Sequence, residues 1–134
     1  MSRILVVEDD KDIALAIGTR LRAAGHGPVH AYDAMAGVSQ ARKETPELVL
    51  LDLMMPAGGG LRVAERLRAM EATSTVPIIF MTASKDPEMR TKAMEFSPHA
   101  FIEKPYDPLE LLAVIHEALG ITASGRESAA FQAG

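Results

Sequence analysis

Short, unbroken apolar runs are the feature that most restricts how this chain can fold. Residues 4–7, 48–51 and 78–81 are each apolar without a polar interruption, and residues 100–102 form a shorter fourth run. A strand with one solvated face alternates apolar and polar side chains. Unbroken runs are expected of strands covered on both faces. Between the runs the apolar period becomes helical. Ile13, Ile17 and Leu21 recur at four-residue spacing until Gly25. Asp33 caps a segment carrying Val38 and Ala41, and Val63, Leu67 and Met70 fall at i, i+4, i+7. Asp86-Pro87 makes an N-cap and first-turn pair ahead of Met89, Ala93 and Phe96. Asp107-Pro108-Leu109-Glu110 resembles a capping box before Leu111, Leu112, Ile115 and Leu119. Residues 28–32 fill the one place left in the alternation. Five strands alternating with five helices predict an α/β domain with a doubly wound parallel sheet.

With 134 residues and 48% hydrophobic content, one core suffices. The expected domain is residues 1–120. Residues 121–134, rich in Ala, Ser and Gly, read as a flexible tail or linker remnant. The chain has no cysteine, which excludes disulfides, zinc–thiolate sites and thiol chemistry. Net charge is −4 and the 14 basic residues are scattered, so no direct nucleic-acid binding is expected of this domain. No run approaches the roughly 20 apolar residues that span a bilayer, and the opening does not resemble a signal peptide. The expectation is a cytoplasmic protein without membrane contact.

Open parallel sheets bind ligands beyond the carboxyl ends of their strands, where the strand order reverses. The first strand is followed by Glu8, Asp9 and Asp10; the third ends in Asp52, the fourth in Thr82 and the fifth in Lys104. If strands one and three are neighbours, the carboxylates converge and repel unless a proton or cation intervenes. Hard oxygen donors of this kind suit Mg²⁺. Taken singly, the acids also read as a helix start, Thr82 as a packed hydroxyl and Lys104 as a solvated charge. Their joint placement at four strand ends is what points to a site.

The run 4–10, Leu51-Asp52-Leu53-Met54-Met55-Pro56 with Gly60, Met81-Thr82-Ala83, and Phe101-Ile102-Glu103-Lys104-Pro105-Tyr106 together resemble the receiver domains of two-component response regulators, including the chemotaxis-regulator type. The resemblance runs from about Arg3 to Gly120. It implies a flavodoxin-like strand order 2-1-3-4-5. It implies that Asp52 is the phosphoacceptor, receiving a phosphoryl group from a phosphohistidine of a sensor histidine kinase or histidine phosphotransfer protein. Mg²⁺ (or Mn²⁺) would be held by Asp9, Asp52 and the Met54 backbone carbonyl, with Glu8 acting through water. Lys104 would screen charge, and Thr82 and Phe101 would form a switch pair that controls a downstream protein target. The same resemblance implies a phosphoacceptor switch and not an enzyme, with a cis bond before Pro105.

Several positions depart from that pattern. Ser97-Pro98-His99-Ala100 stands where receivers often carry Gly-Ala. Residues 57–60, Ala-Gly-Gly-Gly, read as a mobile loop near the metal, and no Gly-Lys-Ser/Thr follows to make a phosphate-binding loop. The last helix carries Val114, His116 and Glu117 in place of the arginines used by dimerising receivers, so that dimer is not expected. His26, His30, His99 and His116 lack metal-ligand spacing. Met54 and Ser84 flank the acceptor and are candidates to set phosphoryl lifetime. Residues 13–17 are apolar all round, which fits either a kinase-docking face or scattered surface residues. A small-molecule phosphohydrolase with an aspartate nucleophile would place a second acid where Met54 stands. A flavin binder would need aromatic residues, which make up only 4% here with no tryptophan. A stand-alone receiver and a fragment of a longer regulator both fit.

Overall fold

The computed structural model describes residues 2–83 and 86–121. Ser84, one of the two positions expected to set phosphoryl lifetime, and residues 122–134 of the expected tail lie outside the described residues. The strands are β1 (Arg3–Val7), β2 (Gly27–Ala31), β3 (Leu48–Asp52), β4 (Ile78–Thr82) and β5 (Ala100–Glu103). The helices are α1 (Lys11–Ala23), α2 (Ala34–Glu44), α3 (Gly59–Ala69), α4 (Pro87–Met94) and α5 (Pro108–Leu119). All neighbouring strands pair in parallel, in the order β2-β1-β3-β4-β5, as the resemblance implied. No helix among the described residues is long and apolar enough to cross a membrane.

The unbroken apolar runs serve two cores. Leu5, Val7, Val49, Leu51 and Phe80 face one side of the sheet with Val63 and Leu67 of α3. Ile4, Val6, Leu48, Leu50 and Ile79 face the other with Ile17 and Leu21 of α1 and Leu111 and Ile115 of α5. Because side chains alternate across a strand, both faces must be apolar for this to work. β3 and β4 are buried along their whole length.

The helix starts follow from their caps. Asp10, Asp33, Asp86 and Asp107 each accept a backbone N–H in the first turn of the following helix. At Asp107 the donor is Leu109, two residues on, where the capping-box reading pairs the cap with Glu110. β2 begins and ends one residue earlier than the sequence reading. Arg3 pairs with Gly27 in the ladder, and Pro28, which has no N–H to give, is accommodated on this edge strand. α3 and α4 stop short of Met70 and Phe96, which pack against the core from just beyond the helix ends.

The glycine-rich stretch differs from the expected loop. Pro56–Gly58 forms a 3₁₀ turn that runs directly into α3. A Cβ on Gly60 would collide with the Asp52 carbonyl and come within 2.8 Å of Leu53 Cα. The absent side chain therefore serves close packing under the end of β3. At the far end of α3, Arg68 ties together two loops, the α3–β4 and α4–β5 connections. Its guanidinium donates to the carbonyls of Val76 (2.6 Å), Phe96 (2.8 Å), Ser74 (3.2 Å), Ser97 (3.4 Å) and Thr73 (3.5 Å). Ser97 takes a left-handed conformation (φ 51°) at the entry to β5, where the sequence departs from the Gly-Ala of receivers.

Candidate functional site at the carboxyl edge of the sheet

Neighbouring β1 and β3 place Val7 opposite Leu51, so Glu8 and Asp52 follow as adjacent positions at the sheet's carboxyl edge. Glu8 is 2% exposed and Asp52 5%, while Asp9 is exposed. One carboxylate oxygen from each of Glu8, Asp9 and Asp52 lies within 4.8 Å of the others. Among the described residues this is the one cluster of three or more such side chains able to hold a metal ion. Asp10, third in the acidic run, is diverted to capping α1, where it accepts from the N–H groups of Asp12 and Ile13.

Lys104 follows β5 and closes the site. Its Nζ lies 2.5 Å from Glu8 Oε1 and 3.5 Å from Asp52 Oδ2. Burial pushes the Glu8 carboxyl up to about 7; the bonds from Lys104 and the Asp10 N–H oppose that rise, and the Asp52 charge adds to it. Burial also works against the Lys104 ammonium, but the bonds and charges of Glu8 and Asp52 outweigh it and hold its pKa above the ordinary value. The lysine therefore stays charged while sharing itself between two acids.

Thr82 is 1% exposed at the end of β4, opposite Glu103 in the ladder, and its carbonyl accepts the Lys104 N–H at 2.9 Å. Met54 lies two residues past Asp52 with its side chain exposed, and its N–H donates to Asp52 Oδ1 at 3.0 Å. Phe101 stands two strands over from Asp52, half-buried on β5. Its ring stacks on Phe80 at 5.6 Å, and the Arg90 guanidinium covers it at 4.7 Å while approaching Glu103 at 3.8 Å. The Lys104–Pro105 bond is cis. Acids, hydroxyl and lysine thus meet at one edge as their sequence positions indicate, while Phe101 lies further back on β5 against Phe80 and Arg90.

Sequence reasoning missed two features. Arg90 is one; nothing in its surroundings on α4 marks it as the cover of a ring on β5. The other is a histidine pair, His26 Nε2 and His116 Nε2, 3.0 Å apart although 90 positions separate them. Burial, then the neighbouring His116, lowers the pKa of His26.

A five-stranded doubly wound parallel sheet with acids and a lysine at its switch point defines the class: an α/β domain with a charged cleft at the carboxyl edge of its sheet. Residues 4–116 match the family model described as the response regulator receiver domain. The chain belongs to that family, the receiver domains of two-component signalling. Among curated proteins it is 36% identical over 113 residues to the phosphate regulon transcriptional regulatory protein PhoB of Escherichia coli (strain K12), covering 84% of this chain and 49% of that protein. The chain thus spans about half the length of such relatives. A CheY-like receiver domain protein from Methanospirillum hungatei JF-1 superposes with a TM-score of 0.83 at 27% identity, covering 89% of this chain and 94% of that one. The receiver domain of the sensor histidine kinase PA1611 from Pseudomonas aeruginosa PAO1 gives 0.81 at 26% identity, covering 89% and 98%. That structure carries a magnesium ion in its active-site cleft.

Proposed function

We propose that Asp52 accepts a phosphoryl group from a phosphohistidine of a sensor histidine kinase or histidine phosphotransfer protein. On this reading residues 1–120 are a phosphorylation switch and not a turnover enzyme. The observation that carries it is the convergence of three carboxylates and one shared ammonium at a single sheet edge. An Asp52 carboxylate oxygen attacks phosphorus; the O–P bond forms, the N–P bond breaks, and the imidazole leaves carrying a proton. Two anions must approach for this, so the charge between them has to be neutralised. Lys104, already 3.5 Å from Asp52 Oδ2, supplies one positive charge as the incoming oxygens take over from Glu8.

The donor set fits Mg²⁺ (or Mn²⁺). Octahedral Mg²⁺ with oxygens at about 2.1 Å spans about 4.2 Å across, slightly less than the 4.8 Å limit of the cluster. Asp9, Asp52 and the Met54 backbone carbonyl would hold it directly and Glu8 through water. When bound, the ion adds positive charge at the attacking and transferred oxygens. On this reading the Thr82 hydroxyl bonds a phosphoryl oxygen, and Phe101, between the core ring of Phe80 and the outer cation of Arg90, is the part that answers. The state so formed controls a downstream protein target in the cytoplasm, without direct nucleic-acid or membrane contact by this domain. The names of curated relatives make transcriptional control the first output to test.

Intact-mass spectrometry after incubation with acetyl phosphate is the decisive experiment, run with and without Mg²⁺ on wild type and Asp52→Ala. One phosphoryl adduct is expected, only with metal and only when Asp52 is present. An adduct persisting on Asp52→Ala removes the assignment. So does a wild type that gains no adduct and binds no beryllofluoride.

A further inference from the structure

The sequence scatters its basic residues, but the fold gathers three of them. Arg42 of α2 and Arg62 and Arg66 of α3 flank an open groove of about 470 Å³. Val38 and Val63 form its apolar floor, and Met35, 84% exposed, stands at its side. The two helices come together at Gly37, where an added Cβ would lie 3.1 Å from Val7 and 3.4 Å from Val63. All three arginines are exposed. Among the described residues none of them forms an ion pair; Arg42 only reaches Met70 Sδ at 3.5 Å.

We propose that this groove docks an acidic amphipathic helix of a protein partner, apolar along one stripe and flanked by Glu or Asp. Charge complementarity selects that occupant. Three guanidiniums without carboxylates of their own, on a chain of net charge −4, form a local positive field around an apolar slot. Guanidinium pairs with carboxylate through two parallel hydrogen bonds. The exposed Met35 gives the slot a side chain that adapts to the shape of an apolar anchor. A duplex nucleic acid is a poorer match, because firm binding there neutralises about 6–10 phosphates. A bilayer would need a protruding apolar surface, and here the valines lie on the groove floor.

The test is amide chemical-shift mapping of the unphosphorylated domain with a defined probe. The probe is a synthetic helical peptide with Leu and Phe on one stripe flanked by Glu; its control carries Lys in place of Glu. The Glu peptide is expected to shift amides of α2 and α3 around Arg42, Arg62 and Arg66, and the Lys peptide to leave them in place. Doubly substituted Arg62→Glu, Arg66→Glu protein, with folding checked by its melt, should bind the Glu peptide at least about tenfold more weakly. Shifts confined to other surfaces, equal shifts with both peptides, or unchanged affinity of the double variant would overturn the proposal. A DNA duplex or phosphatidylglycerol vesicles moving these amides while the Glu peptide does not would overturn it as well. No phosphodonor is present, so the result stands apart from the role assigned to Asp52.

Discussion

The Lys104 corner and the Arg68 corner each bury part of a cation, and they satisfy it in opposite ways. Lys104, 16% exposed, faces two carboxylates, Glu8 and Asp52. Arg68 faces five backbone carbonyls from two loops. Carboxylates can change partner when a proton, a metal ion or a phosphoryl oxygen arrives. Carbonyls fixed in the chain have no such alternative, so their cation serves only the fold. A charge buried among charges marks a working site, and a charge buried among dipoles marks a joint.

Removing the two cations should therefore break different things. The largest effect is expected for Lys104→Met, which should slow phosphoryl incorporation from acetyl phosphate by about a hundredfold or more. Its urea melt should move by less than about 2 kcal/mol, because Glu8, already pushed up to about 7, takes a proton in the lysine's place. A wild-type rate in this variant would dissolve the distinction. Arg68→Met should do the reverse. It leaves three part-buried carbonyls without this donor and is expected to cost about 1–3 kcal/mol in urea melts. Below its melting point, phosphoryl incorporation should stay within about threefold of wild type; a larger loss would place Arg68 in the chemistry.

Metal sharpens the contrast at comparable amplitude. Saturating Mg²⁺ should raise stability by about 1–3 kcal/mol. Arg68→Met should keep that increment in differential scanning, and Asp9→Asn should lose it. An increment retained by Asp9→Asn would move the ion elsewhere. The smallest effect concerns a ring whose buried nitrogens make no hydrogen bond among the described residues. For His30 these are Nδ1 and Nε2, and burial, then the Arg22 charge, lowers the pKa of the ring. The unfolded chain therefore protonates His30 first as pH falls. Its contribution is complete above the unfolded value of about 6.5 and is lost as pH falls from there through the depressed folded value. His30→Phe should stabilise by about 1 kcal/mol and flatten that part of the melting-temperature profile. An unchanged slope would show that the ring is already solvated.

The Lys104 corner was legible in the sequence, and the Arg68 corner was not. Glu8, Asp52 and Thr82 each end an apolar run and Lys104 comes one residue after the end of another, so the strand pattern itself announces which polar groups share an edge. Partners that are backbone carbonyls leave no residue-type signature, and nothing beside Arg68 in the chain names Phe96 or Val76. The His26–His116 contact and the Arg42–Arg62–Arg66 cluster fail for a related reason, since they depend on where separate elements pack. Gly60 shows a different limit: a glycine needed for close approach and one needed for freedom look the same on the page. The boundaries of β2 slipped by one residue because an edge strand with half-buried side chains carries the faintest apolar signal.

The pairing of Val7 with Leu51 fixes more than topology. Adjacent strands run about 4.8 Å apart because peptide hydrogen bonds have one length, and the acids carried just past that pair are thereby held close enough for their carboxylate oxygens to lie within 4.8 Å of one another. The ruler for the ion is thus the main chain. Core side chains can be exchanged, enlarged or trimmed without altering its graduation, and only a slip of β1 against β3 would change the reading.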